Sequence, residues 1–208
     1  MYNIVIMEVL HMKYSLESIE ALLAPIKDMK EIDLADIPCI DLYMDQVTTL
    51  FDERLSPQKR NEEDVVLTKT MINNYAKAKI LPPIKNKKYN KQQIILLILI
   101  YNLKQVLSLE DIKSIFEPIL SKLSQDPSET EFLDDIYNKF LTEKQELSGI
   151  IIDDFISKLK NSTVNPSDSE DNILDLLMKV LVLVSCASIQ KRMAEKIIDT
   201  YFKDQEKP

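Results

Sequence analysis

The chain is almost without glycine: Gly149 is the only one in 208 residues. That excludes glycine-rich phosphate loops and sheets built from many tight glycine turns. Tryptophan is absent and His11 is the sole histidine. A structural zinc site, or a Ser-His or Cys-His catalytic pair, has almost nothing to build on. Cys39 and Cys186 lie far apart and outside any CxxC pair. They read as buried or incidental thiols of a reducing compartment. Acidic clusters occur at Asp134-Asp135, Asp153-Asp154 and Asp168/Glu170/Asp171, without repeated ligand spacing; beside helix starts and linkers they read as solvated. No catalytic residue, metal ligand or cofactor is expected. Long apolar runs are missing as well. MYNIVIMEVLHM at the start has no basic region and contains Glu8, Ile94–Ile100 is short, and Ile173–Ile189 is interrupted by Asp175 and Lys179. A membrane helix needs about 20 apolar residues, so the expectation is a soluble, cytoplasmic protein with no membrane partner.

Leu, Ile, Lys, Asp and Glu dominate the composition, which fits an all-α protein. Its charge is unevenly spread. From Val65 to Leu109 there are eight lysines and no acidic residue, in a chain whose net charge is -8. A basic island in an acidic chain is a candidate footprint for a polyanion, nucleic acid above all. A solvated lysine face, or docking onto the chain's own acidic remainder, is the alternative.

Local signals divide this stretch. Thr68 is a good N-cap for a helix through Lys79. Pro82 and Pro83 end it, because Pro82 disfavours the helical conformation at Leu81. Ile84–Tyr89 is short, basic and able to extend. Asn90 caps a second helix carrying the apolar run Ile94–Ile100. Ser108, with Asp111 three residues later, opens a third. In the first helix Met71, Ile72, Tyr75, Ala78 and Ile80 can face inward, leaving Lys69, Thr70, Asn73, Asn74 and Lys77 outside. Asparagine can read adenine edges, and threonine and lysine can bind phosphate or bases.

Tyr75, Ile80-Leu81-Pro82-Pro83, Lys87-Lys88-Tyr89-Asn90 and Leu103-Lys104 through Ser108-Leu109-Glu110-Asp111-Ile112 stand in this order. The arrangement resembles the winged helix-turn-helix DNA-binding domain of the MerR family of bacterial transcription regulators. Asp41–Val47 is similar to the start of an uncharacterised bacterial family, a domain of unknown function with a MerR-like core. The resemblance implies a transcription regulator that binds double-stranded DNA as a homodimer. The helix Thr68–Lys79 would enter the major groove, and Lys85, Lys87, Lys88 and Lys91 would meet phosphate. Leu177, Leu181 and Val184 on the last helix are candidates for the dimer interface. The effector, the operator and the sign of regulation are not legible.

Three features depart from the pattern. Thr70 and Asn73 stand where the family usually has arginine. The wing has no glycine. Ser56–Leu67 puts twelve residues, including Glu62, Glu63 and Asp64, where a usual turn has three or four. They keep a second reading open: a helical protein–protein interaction module whose MerR-like core no longer binds DNA.

The expected organisation is a helical extension over 1–40, the DNA-binding core over 41–120 and a C-terminal helical bundle over 121–208. In the first of these, Leu16 to Met29 has helical spacing, and Pro25 should kink or divide it. Asp41 is a candidate cap for the next helix, and Pro118 a candidate bend in the helix from Ser108. Ser128–Glu131 reads as a capping box and part of Glu143–Lys160 as a separate helix. A linker covers 161–171 and a long helix covers about Asn172–Lys203. The first half of that helix is apolar nearly all round, so it needs cover on every side, at the centre of a bundle or in a dimer.

Overall fold

The computed structural model describes residues 15–125, 131–160 and 169–203. The protein is all-α with a minimal sheet. In chain order its elements are α1 (Leu16–Lys27), β1 (Leu42–Tyr43), α2 (Met44–Leu55), α3 (Lys69–Lys77), β2 (Lys88–Tyr89), α4 (Lys91–Lys104), α5 (Leu109–Gln125), α6 (Glu131–Lys160) and α7 (Ser169–Ile198). Short 3-10 turns cover Leu34–Asp36 and Ser56–Gln58, and a π-helical turn, Asp199–Lys203, continues α7. The chain forms two compact units, Met1–Asp28 with Gln145–Arg192 and Met29–Lys144 with Met193–Pro208. These boundaries cut across the expected ones. Residues from Met29 onward join the core, and α6 runs unbroken from Glu131 to Lys160 through both units, with no proline in it and Gly149 as its one glycine.

The core unit is built around α4. Gln93 to Ile100 are all buried, so this helix is enclosed on every side. Phe51 and Leu55 of α2, Ile72 and Tyr75 of α3, Ile112 and Phe116 of α5, and Leu133 and Tyr137 of α6 belong to the same buried cluster. The Phe51 and Tyr101 rings meet edge to face at 6.4 Å. The lead-in to the core is fastened by polar bonds. Tyr137 donates its hydroxyl to the Ile32 carbonyl, and Lys144 binds both Glu31 and Asn102.

The caps explain the helix starts. Thr68 Oγ1 accepts the Met71 N–H at 3.1 Å. Asn90 and Gln93 exchange side chain-to-backbone bonds at 2.9 and 3.0 Å, a reciprocal box that satisfies two orphan donors. Ser108 and Asp111 do the same for α5. Asp41 does not cap α2, which begins after Tyr43, whose N–H is taken by Gln46 Oε1. Pro25 lies in the last turn of α1 and Pro118 inside α5, and neither ends its helix. The segment Glu143–Lys160 is not a separate helix but the second half of α6. The Ser128 capping box, the residues before Ser15 and most of the 161–171 linker lie outside the described residues.

In the other unit α1 runs antiparallel to the second half of α6. Lys27 pairs with Asp153 at 2.8 Å and Glu20 with Lys160 at 2.8 Å. Most of α7 in this unit is exposed, so it is not the buried centre of a bundle within one chain.

Candidate nucleic-acid interface

Two elements of the core unit carry the basic residues outward. The first is α3. Ile72 and Tyr75 are buried, and Lys69, Thr70, Asn73, Asn74 and Lys77 are all exposed on one side. Burial pushes the Tyr75 phenol up from its ordinary pKa, so it serves α3 as a neutral buried anchor. The helix ends in a left-handed residue. Lys79 has φ 59°, and the Ile80 N–H reaches back to the Tyr75 carbonyl at 3.2 Å while the Lys79 N–H reaches Ala76 at 3.1 Å. These two bonds make a Schellman closure, which ordinarily takes glycine at the left-handed position.

The second element is a hairpin. Lys85 and Lys88 form an antiparallel bridge, with the Lys88 N–H on the Lys85 carbonyl at 3.0 Å. Asn86 and Lys87 between them have φ of 54° and 60°. Two successive residues with positive φ make the two-residue hairpin turn whose twist matches its strands. It forms here without glycine. β2 then pairs with β1, Leu42 opposite Tyr89 and Tyr43 opposite Lys88. Tyr89 is buried as a plug beneath the hairpin, with its hydroxyl unpartnered. Gln93 ties the other arm to α4 by donating to both the Pro82 and Pro83 carbonyls, each at 3.1 Å.

The expected site residues are thus brought together unequally. Lys85 and Lys87 stand exposed at the hairpin tip. Lys88 is half-buried, its ammonium 4.9 Å from the centre of the Tyr43 ring. Lys91 turns away and pairs with Asp134 at 2.7 Å. Lys69 pairs with Asp45 across a fully wetted surface, a contact of small worth that a phosphate can displace. Among the described residues no carboxylate pairs with Lys77, Lys79, Lys85, Lys87, Lys88 or Lys104. Outside the island Lys27, Lys59, Lys144, Lys158, Lys160, Lys179 and Lys203 each hold an acidic partner, whereas Lys30, Lys113, Lys139 and Lys196 show none among the described residues. Among the described residues, then, two of the island's eight lysines, Lys69 and Lys91, are paired with the chain's own carboxylates and six are not.

Residues 32–140, more than half of the chain, match the family described as Domain of unknown function (DUF1836). The chain belongs to the DUF1836 family. Its matched span runs from Ile32, at the edge of the core, through Phe140 of α6, and so holds α3, the hairpin and α4 entire. Most of α6 beyond the core, and all of α7, lie outside the DUF1836 span. No curated protein and no solved structure matches the chain.

Lys79, a lysine of the basic island outside the expected site, is exposed beside it. Its signal is position, since it sits at the end of α3 just before Ile80-Leu81-Pro82-Pro83. The twelve-residue insert leaves Glu62, Glu63 and Asp64 exposed while Val66 and Leu67 are buried. Between insert and α3 lies an open cavity of about 410 Å³, lined by Lys59, Arg60, Asp64, Met71, Tyr75 and Lys104 among others. Leu177, Leu181 and Val184 are exposed on α7, in the other unit.

Proposed function

We propose that the core unit binds double-stranded DNA and that the protein is a cytoplasmic transcription regulator of the MerR-like winged helix-turn-helix kind. α3 enters the major groove with Lys69, Thr70, Asn73, Asn74 and Lys77, and the hairpin is the wing, with Lys85 and Lys87 on flanking phosphate. A nine-residue helix fits a groove about 12 Å wide. Six lysines with no carboxylate partner among the described residues, gathered on α3, its closing turn, the hairpin and the end of α4, are the observation that carries this reading. Exposed lysines such as Lys77, Lys85 and Lys87 suit counterion release. The asparagine pair supplies the groups able to read base edges.

The test is binding of the full chain to fluorescent duplexes of varied sequence at physiological salt, with and without Asn73→Ala. Asn73→Ala is expected to compress the spread of affinities among sequences. Equal affinity for every duplex in the unsubstituted chain would refute base reading. The exposed acidic insert beside α3 favours the second reading, a protein-interaction module. Absence of measurable DNA binding would leave that reading in its place.

A further inference from the structure

Among the described residues, exposed large apolar side chains are most numerous on α7. Ten large apolar side chains between Leu174 and Met193 are exposed by 41 to 63 %. Seven of them share one side of the helix, and at roughly 100 Å² each they present about 700 Å², above the roughly 300–600 Å² of a monomer's largest patch and close to the roughly 800 Å² per partner of a standard interface. Their order is not random. Leu174, Leu177, Leu181 and Val184 follow at spacings of three, four and three, the seam of a short helix pair. Met178, Val182 and Ile189 make a second row about 100° further round. Two adjacent rows need more than one covering helix.

Two occupants could supply such cover, a bilayer or protein. By length and composition the helix Ile173–Lys203 is able to cross a membrane, with a mean hydropathy of 1.9 over its best window. Chain connectivity argues against that. Met29–Lys144 and Met193–Pro208 fold as one compact unit, with Lys203 on Asp111 at 2.6 Å. A crossing by α7 would require the chain between them to cross a second time, through residues 145–168. That stretch contains Glu146, Asp153, Asp154, Lys158, Lys160 and Asp168, and charged side chains are costly at the bilayer centre.

We infer that α7 is covered by a second copy of this chain, with Leu174, Leu177, Leu181 and Val184 at the centre of a two-fold interface. In such an interface residues near the axis meet their own copies, so a charged residue there would face a like charge. From Val180 to Gln190 the chain has none. The same unit also offers surface to receive the partner's helix: Leu22 and Ile26 on α1, and Leu147, Ile150 and Ile151 on α6, are exposed. The partner's unit can therefore supply the several helices that two rows on α7 demand. This inference stands apart from the DNA-binding proposal, since α7 carries no part of the basic surface.

Analytical ultracentrifugation of the full chain over a micromolar dilution series tests it. The expected species has twice the 24.1 kDa chain mass, and Leu177→Glu with Leu181→Glu is expected to give the single-chain mass. A single-chain mass for the unsubstituted protein throughout the series overturns the inference without requiring any variant to fold. A dimer that persists in the double variant overturns it too, by placing the interface elsewhere. Flotation of the unsubstituted protein with phosphatidylcholine–phosphatidylglycerol vesicles would overturn it in favour of a bilayer.

Discussion

Replacing Lys85 and Lys87 with alanine removes the two cations at the hairpin tip and leaves its frame in place. Both side chains are exposed, and no described carboxylate depends on either. The Lys88 N–H to Lys85 carbonyl bond is made by backbone alone. At Lys87, with φ of 60°, alanine keeps a Cβ, so the left-handed conformation costs about the same 1–2 kcal/mol for either residue. Lys88 is left intact because it covers the Tyr43 ring. Each lost phosphate contact lowers the slope of log affinity against log salt by about 0.9. Two contacts thus lower it by about 1.8, and over a fourfold rise in salt the advantage of the unsubstituted chain shrinks by roughly twelvefold. Fluorescence anisotropy of a labelled duplex across a salt series reads this directly. Lys139→Ala, exposed on α6 and outside the basic island, is the control and should leave the slope unchanged. An unaltered slope in the double variant would refute the hairpin as a phosphate-binding wing.

Further expectations concern stability. Lys79→Gly should raise it by about 1 kcal/mol, because the left-handed closing position of α3 favours glycine; a loss in urea denaturation would contradict that geometry. Gly149→Ala should add about 0.5–1 kcal/mol, since a Cβ there meets only Lys27 Cε at 3.9 Å; thermal melting reads it, and destabilisation would mean the site is closed. Gln93→Ala removes both bonds to the Pro82 and Pro83 carbonyls and should cost about 1–3 kcal/mol, with an unchanged melting temperature counting against the tie. Asp111 is held below the ordinary carboxylate range first by the hydrogen bond from Lys203 and then by Ser108. A carboxylate depressed by folding contributes stability above its unfolded value of about 3.9, and this is lost as pH falls through the folded value. Lys203→Ala should therefore move the Asp111 NMR titration midpoint upward, and an unmoved midpoint would mean that the terminal turn does not bind there.

What was legible in the residues was mostly what rests on short-range chemistry. Thr68, Asn90 and Ser108 announce their helices because a cap needs only a side-chain oxygen and an N–H three residues on. The inward set of α3, Ile72 and Tyr75 among it, follows from helical period, and so does its exposed face. A minimal β wing was legible at Lys85–Tyr89, and the sheet is there; its turn type was not, because the usual marker, glycine, is missing and asparagine and lysine adopt positive φ in its place. Asp41 misled because the chain extends through β1 first, pairing with β2 from 46 residues later in register Leu42 opposite Tyr89; such pairing leaves no local trace. Lys91 looked like its neighbours, yet Asp134 of α6 claims it, a partner that only the tertiary fold supplies. On α7 the apolar composition was plain from the sequence, but its lack of cover within the chain was not.

Selection of bound fragments from a sheared genomic DNA pool at physiological salt tests the DNA-binding proposal most directly. The full chain should enrich a defined sequence, and Asn73→Ala with Asn74→Ala should lose that enrichment while retaining weak, salt-labile binding. Recovery of no preferred sequence by the unsubstituted chain, with whatever binding there is disappearing as salt rises, would contradict recognition of DNA by α3.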